Sequence, residues 1–206
     1  IMLTLVAFVG LVVVVYSRNY LKGDAGQTRF MAWMAATLAA VLTLTIAGNM
    51  LLFALAWIAT SLSLHRLLVY YADRPKELLA ARKKAIASRL GDASLIVAMV
   101  LVFQTFGTLD FATIFAAAEA MDPAAGVSAP ILWTGFFLVL SALLKSAQFP
   151  FHGWLTEVME TPTPVSALLH AGIINAGGFL IIRFSEVVQL SVAALDVLAL
   201  VAGFTA

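Results

Sequence analysis

The sequence predicts an all-α, polytopic bundle of transmembrane helices, and two properties of the chain predict it. Hydrophobic residues make up 63% of the 206 residues and charged residues 11%, whereas a soluble domain is about 45–50% apolar. Apolar runs of about 20 residues recur, and each is long enough to cross a bilayer as a helix. The runs lack the alternation of membrane β-strands, which leaves helices as the structures that satisfy their backbone in lipid.

The apolar runs predict where the helices lie. We expect membrane segments at about 1–16, 29–47, 50–71, 85–106, 131–160 and 163–184, with a partial segment from about 190. Only Ala47, Gly48 and Asn49 separate the second and third segments, which predicts a tight helical hairpin. The amphipathic stretch from Leu109 to Met121 predicts a short helix on the membrane surface. We expect a single transmembrane domain, residues 1–206, that is a fragment of a longer subunit.

Basic residues predict the orientation, because cytoplasmic loops carry an excess of lysine and arginine. The fourth loop, residues 107–130, contains neither residue type. The first and third loops contain Arg18, Lys22, Arg29, Arg74, Lys76, Arg82, Lys83 and Lys84. We therefore expect the odd-numbered loops to face the cytoplasm, and we interpret these basic residues as ordinary topology signals.

The fifth segment is too long for one simple crossing. A helix over 131–160 would be about 45 Å long, and the hydrocarbon core is about 30 Å thick. Pro150 lacks a backbone donor, and its ring clashes with the carbonyl four residues earlier. The sequence therefore predicts a broken helix near residues 145–150, a feature that transport proteins use to expose carbonyls and helix ends to ions.

Lys145 is the residue that most strongly indicates a function. Residues 131–144 contain no charge, so Lys145 is expected inside the membrane, where a lysine costs about 2.5–3.5 kcal/mol on insertion scales. Such a residue marks an ion or proton path by default. The alternative is a lysine whose long stem lets the ammonium reach the cytoplasmic interface.

His170 lies in another apolar run, 167–180, preceded by a helix start with a threonine cap and prolines at 161–164. Histidine is suited to passing protons because its unperturbed pKa is close to neutral. The alternative is a neutral histidine bonded to a backbone carbonyl. The glycines 177 and 178 that follow predict close helix packing.

Other polar residues fall inside predicted helices. Arg89 and Asp92 are three residues apart, so they share a helix face and can pair; the pair either completes the end of the fourth helix or extends a charged path. Hydroxyls and an imidazole in the third and fifth segments either line the path or, for the hydroxyls, bond their own backbone. These residues are Thr60, Ser61, Ser63, His65, Ser141 and Ser146.

Several function classes are excluded or disfavoured. The net charge of +1 gives no reason to expect nucleic acid. Cysteine is absent, and the three histidines lie on different segments without metal-ligand spacing. No phosphate-binding glycine loop, nucleophile elbow or HExxH motif is present. We therefore expect no cofactor, no metal and no catalytic residue in this chain.

Two stretches carry a family resemblance. The run KSAQFP from Lys145 and the run PTPVSALLHA from Pro162 resemble the antiporter-like subunits of respiratory complex I and of multisubunit sodium/proton antiporters. The runs SRLGD from Ser88, YSRNY from Tyr16 and residues 49–57 extend the resemblance to nearly the whole chain. It implies that Lys145 and His170 belong to a proton path.

The chain departs from that family at one position. The family has a glutamate after the tryptophan that matches Trp57, where it pairs with the broken-helix lysine; here Ile58 follows. Asp92 is the nearest upstream acid on a neighbouring helix. The run LHRLLVYYADRP from Leu64 is instead similar to the membrane subunit of DAB-type inorganic carbon accumulation complexes.

That second resemblance implies a multi-pass subunit of the bacterial inner membrane. It implies coupling of a proton or sodium gradient to a large soluble partner on the cytoplasmic side, which resembles a β-carbonic anhydrase, holds zinc and hydrates carbon dioxide to bicarbonate. Two alternatives stay open. One is a proton-pumping subunit of an NADH-quinone oxidoreductase or a multisubunit sodium/proton antiporter. The other is a membrane scaffold that transports no ion.

Overall fold

The computed structural model describes residues 2–70, 75–121, 127–157 and 162–205, and helices dominate these ranges. Within these ranges, four helices are long and apolar enough to cross a membrane, which confirms the polytopic α-helical fold. The helices are α1 Met2–Tyr20, α2 Gln27–Ile46, α3 Met50–Leu68, α4 Pro75–Phe106, α5 Phe111–Glu119, α6 Ala129–Lys145, α7 Gly153–Glu157, α8 Thr163–Leu168, α9 Ala176–Arg183, α10 Ser185–Gln189 and α11 Val192–Thr205.

Contacts between loops show which helix ends lie on the same side. The Tyr70 hydroxyl, just after α3, donates a 2.9 Å hydrogen bond to Asp24 in the first loop. On the other side, the Met50 amide donates to the Leu109 carbonyl at 2.8 Å, and the Phe111 amide donates to the Gly48 carbonyl at 3.0 Å. The first and third loops are thus neighbours, as are the second and fourth, which is the alternation that successive membrane crossings require.

On the side of the bundle where the second loop lies, a helix cap and an aromatic contact hold the helix ends together. Asn49 caps α3 by accepting from the Leu52 amide at 2.8 Å, so the predicted α2–α3 hairpin is tight. Arg183, at the end of α9, donates to the Ala47 carbonyl at 3.1 Å and lies 5.3 Å from the centre of the Phe111 ring. These contacts bring the ends of α2, α5 and α9 together.

Two boundaries differ from the sequence prediction. Helix α4 begins at Pro75, ten residues before the predicted start at 85, so Arg82, Lys83 and Lys84 are helical rather than part of the third loop. The predicted helix 163–184 is not continuous, because a π-helical turn, Leu169–Ile173, separates α8 from α9. The N-cap of α8 is Pro162, without a side-chain cap hydrogen bond. Arg74 and Thr161 lie outside the described residues, as does the Lys76 side chain.

The predicted break in the fifth segment is present. Helix α6 ends at Lys145 and the chain resumes as α7 at Gly153. Ala147 has a φ of +52°, and the Gln148 amide donates to the Leu143 carbonyl at 3.3 Å. A left-handed residue followed by this bond is the Schellman motif that terminates helices, usually with glycine in place of the alanine. The break therefore occurs three residues before Pro150, in a segment that Pro150 prevents from remaining helical.

Two glycines set how closely other helices approach α6. A Cβ atom on Gly91 of α4 would lie 3.3 Å from Leu144 Cβ and 3.4 Å from the Ser141 carbonyl oxygen. A Cβ atom on Gly177 of α9 would lie 2.9 Å from the Ala142 carbonyl carbon, and closer still to that carbonyl's oxygen and to Ser146 Oγ. The backbones of α4 and α9 thus pack directly against the last turns of α6.

We predict that Gly177→Ala lowers the stability of the protein, because the added methyl group meets backbone atoms of α6 that cannot move away alone. Overpacking of this kind costs about 1–3 kcal/mol. Gly178→Ala is the matched control, since a Cβ atom there meets nothing within 4 Å. Thermal unfolding of the full-length protein in detergent measures both variants. Equal melting temperatures for the two would contradict the close approach of α9 to α6.

Candidate ion-conducting site

Lys145 is buried at the end of α6, with 4% of its surface exposed. Its ammonium donates a 3.1 Å hydrogen bond to the Trp57 carbonyl and a second, short bond to Ser61 Oγ. It also lies 4.4 Å from the centre of the Trp57 ring, in cation–π contact. Lys145 therefore does not extend to the interface, and α3 supplies much of its immediate surroundings.

A single carboxylate, that of Asp92, lies beside Lys145 among the described residues. Asp92 Oδ1 is 3.9 Å from Lys145 Nζ, and the two side chains are 6% and 2% exposed. Asp92 Oδ2 is 2.6 Å from Arg89 Nη2, so the predicted pair is confirmed. Arg89 is 46% exposed, which places Asp92 between a buried cation on α6 and a partly exposed one on its own helix.

The helix break adds to this electrostatic arrangement. Because α6 ends at Lys145, the carbonyls of its last turn lie at the negative end of the helix dipole, where a cation is favoured. The Ala142 and Leu143 carbonyls are already occupied by the amides of Ser146 and Gln148. The break thus creates a helix end beside a buried cation, as in transporters with discontinuous helices.

The other predicted lining residues differ in the hydrogen-bond partners of their polar atoms. Thr60 and Ser63 donate to the carbonyls of Ala56 and Ala59, both at 2.8 Å, so their hydroxyls are satisfied by their own helix. Ser61 instead contacts Lys145. Two more polar atoms, Ser141 Oγ and His65 Nδ1, are buried and have no hydrogen-bond partner in the described part of the chain. Ser146 is the residue after α6 and faces Gly177. A role in the path stays a prediction for all of these.

His170 lies on the π-helical turn between α8 and α9. Its side chain is exposed. Its carbonyl accepts a 3.3 Å bond from Asn175 Nδ2. Within the described residues, no hydrogen bond or ion pair joins its ring to Lys145. π-helical turns are frequent at functional sites, so a path role for His170 remains a prediction.

Lys84 is a buried residue that hydropathy did not predict. It is helical rather than part of the third loop and is 2% exposed. Its ammonium donates to the Ser61 carbonyl at 3.2 Å. Lys84, Ser88 and Asp92 follow each other at four-residue steps, so they lie on one face of α4. That spacing would have identified Lys84 if the helix had been started at Pro75.

Among the described residues, no group of three or more His, Cys, Asp or Glu side chains is arranged to hold a metal ion.

We predict that Lys145 and Asp92 are energetically coupled. Removing one member of a buried ion pair is strongly destabilising, by about 3–5 kcal/mol, because the other charge is left buried. The double variant Lys145→Met/Asp92→Asn should therefore be more stable than the sum of the two single effects implies, by about 0.5–3 kcal/mol. Free energies of unfolding of the full-length protein in detergent test this.

The control cycle combines Lys145→Met with Glu119→Gln, since Glu119 is exposed at the end of α5. The two effects should add in that cycle. Additivity in the Lys145–Asp92 cycle as well would show that the two side chains do not interact.

Comparison with known proteins identifies the family. A family model described as the transmembrane domain of NADH:quinone oxidoreductase/Mrp antiporter proteins matches residues 47–206. A second, described as the N-terminus of chain 5 of complex I, matches residues 1–31.

Individual relatives agree. The probable inorganic carbon transporter subunit DabB2 of Halothiobacillus neapolitanus is 48% identical over 96% of this chain and 35% of its own length. The corresponding DabB of Hydrogenovibrio crunogenus is 42% identical over 100% of this chain and 39% of its own length. NADH-quinone oxidoreductase subunit L of Escherichia coli is 36% identical over 88% of this chain and 30% of its own length.

A solved structure, the Mrp complex from Dietzia sp. DQ12-45-1b, superposes with a TM-score of 0.77 at 31% identity, covering 87% of this chain and 19% of that chain. This chain spans 35% and 39% of the two carbon-transporter relatives. The family resemblance seen in the sequence is thus confirmed, and the chain belongs to the NADH:quinone oxidoreductase/Mrp antiporter family of antiporter-like membrane subunits.

Proposed function

We propose that this chain is the ion-conducting part of a bacterial inner-membrane subunit that couples a proton or sodium gradient to inorganic carbon uptake. A soluble partner resembling carbonic anhydrase, which holds zinc on the cytoplasmic side, hydrates carbon dioxide to bicarbonate. The observation that carries the proposal is the buried ammonium of Lys145 at a helix break, between the Asp92 carboxylate and two oxygen atoms of α3.

The surroundings of Lys145 suit a group that gains and loses a proton. In the ammonium form, the Trp57 carbonyl and Ser61 Oγ accept hydrogen bonds from Lys145. The Asp92 carboxylate interacts with its positive charge. After proton loss, the Ser61 hydroxyl can reverse its role and donate to the amine, because a hydroxyl both donates and accepts. The amine is therefore hydrogen-bonded in either state, which keeps it in place while the proton leaves.

Sodium remains the alternative ion because of the same oxygen atoms. The Asp92 carboxylate, the Trp57 carbonyl and Ser61 Oγ converge on the position of the ammonium. Hard cations are bound by such oxygen donors. A sodium ion entering this position would displace the ammonium and take over its interaction with Asp92.

The carbon substrate is supported by the relatives. Two relatives at 48% and 42% identity are named probable inorganic carbon transporter subunits. The chain also has Ile58 after Trp57, where the resemblance to complex I and antiporter subunits implies a glutamate. In this chain Asp92 lies beside the lysine, so we propose that it serves as the carboxylate partner.

Two rival functions make different predictions. A subunit of an NADH-quinone oxidoreductase is favoured by the family model and by the subunit L relatives. A scaffold without transport is favoured by the missing glutamate. The scaffold gives no reason for the burial of Lys145, because a charge inside the membrane is costly and brings no benefit to docking alone.

The proposal predicts what purifies with the full-length protein from its native membrane. One large soluble zinc-containing protein should be found by mass spectrometry and metal analysis of the same sample. A set of flavin and iron–sulfur subunits would instead show a respiratory complex and end the carbon-uptake proposal.

Transport also depends on Lys145. In vesicles that contain the assembled complex, gradient-driven uptake of labelled inorganic carbon should fall at least tenfold in Lys145→Met. Lys22→Met is the control, because Lys22 is exposed in the first loop, and it should retain uptake. Full uptake in Lys145→Met, with the soluble partner still bound, would favour the scaffold.

A further inference from the structure

We propose that Lys84 is a second proton carrier of the path, on the side of Lys145 that faces the third loop. This inference rests on the proposed function and narrows its ion to the proton. Neither the family resemblance nor the proposed function requires Lys84 to be buried, yet it is. Lys84 of α4 and Lys145 of α6 both donate hydrogen bonds to Ser61 of α3.

The position of Lys84 distinguishes it from its neighbours. Arg82 and Lys83 on the same turn are exposed, whereas Lys84 is buried. Lysine is almost never fully buried unless it is paired. Among the described residues its ammonium donates to a neutral acceptor, the Ser61 carbonyl. We would expect a lysine with a purely structural role to have a carboxylate in contact, because its ammonium has three protons to donate.

Ser61 connects the two amines. Its carbonyl accepts from Lys84 at 3.2 Å, and its hydroxyl contacts Lys145. Both acceptors belong to one residue, so the two ammonium groups lie close to each other in the bundle interior. Two positive charges that are close together in a medium of low dielectric constant repel each other.

The charges around Ser61 do not balance when all groups are ionised. Lys84, Lys145 and Arg89 are cationic, and Asp92 is the acid that faces them in the described part of the chain. His65, one turn after Ser61 on α3, adds a group that can become cationic. A cluster with one carboxylate favours one protonated lysine over two, so proton occupancy of Lys84 and of Lys145 is mutually opposed.

Alternating occupancy gives a defined step. A proton leaves the Lys84 ammonium and binds the Lys145 amine, so one N–H bond breaks and one forms, and the net charge of the cluster is unchanged. Lys145 is then stabilised by Asp92, which lies next to it. Lys84 is left neutral and ready to take another proton from the side of the third loop, where α3 ends at Leu68.

The test uses vesicles with the assembled full-length complex, in sodium-free buffer and under an imposed proton gradient. We expect Lys84→Met to reduce proton-driven carbon uptake at least tenfold. Lys84→Arg should be equally impaired, because an arginine side chain keeps the charge and cannot be deprotonated in proteins. Lys83→Met, an exposed lysine one residue away, should retain uptake.

The variants also separate the alternatives. Recovery of uptake in Lys84→Arg would show that Lys84 supplies structural charge and would overturn the proposal. Normal uptake in Lys84→Met together with loss in Lys145→Met would overturn the role of Lys84 and leave the proposed function standing. Normal uptake in both would end the proposed function itself. If Lys84→Met does not assemble, the charged and similarly long Lys84→Arg decides the question.

Discussion

The cost of holding the Lys145 ammonium inside the bundle determines how the helices around it are arranged. A lysine at membrane depth is unfavourable by about 2.5–3.5 kcal/mol on insertion scales. Here a carbonyl and a hydroxyl from α3, a carboxylate from α4 and the end of α6 itself offset that cost. Three helices must therefore meet at the Lys145 ammonium, and a shift of α3 or α4 removes a partner of that buried charge.

The break in α6 makes this meeting possible. Ala147 takes the left-handed conformation that ends the helix, so the chain stops at the lysine. Gly177 allows α9 to contact the last turn, and Gly91 does the same for α4. These small residues are needed because a Cβ atom at either position would meet backbone atoms of the last turns of α6. Packing and ion chemistry therefore place demands on the same few residues.

Some of this could be predicted from the sequence. Helix positions, the break and the Arg89–Asp92 pair follow from apolar run length, proline chemistry and three-residue spacing, which are local properties. The burial of Lys145 follows from the uncharged run before it.

The rest depends on which helix faces which. Hydropathy assigns the basic run that includes Lys84 to a loop, and without the helix start at Pro75 the four-residue spacing to Ser88 and Asp92 does not indicate a buried lysine. The exposure of His170 was unpredictable for the same reason, because the histidine side of that helix could have faced either way. The two neighbouring glycines are equivalent in sequence, and only the packing separates Gly177 from Gly178.

The proposed proton path requires above all that Asp92 is the charged partner of Lys145. We would measure gradient-driven carbon uptake by the assembled complex in the Asp92→Asn and Asp92→Glu variants. We expect Asp92→Asn to lose at least tenfold in uptake rate, because Lys145 is left without a carboxylate, and Asp92→Glu to retain a substantial part of it. Undiminished uptake in an assembled Asp92→Asn complex would show that Lys145 does not need this carboxylate.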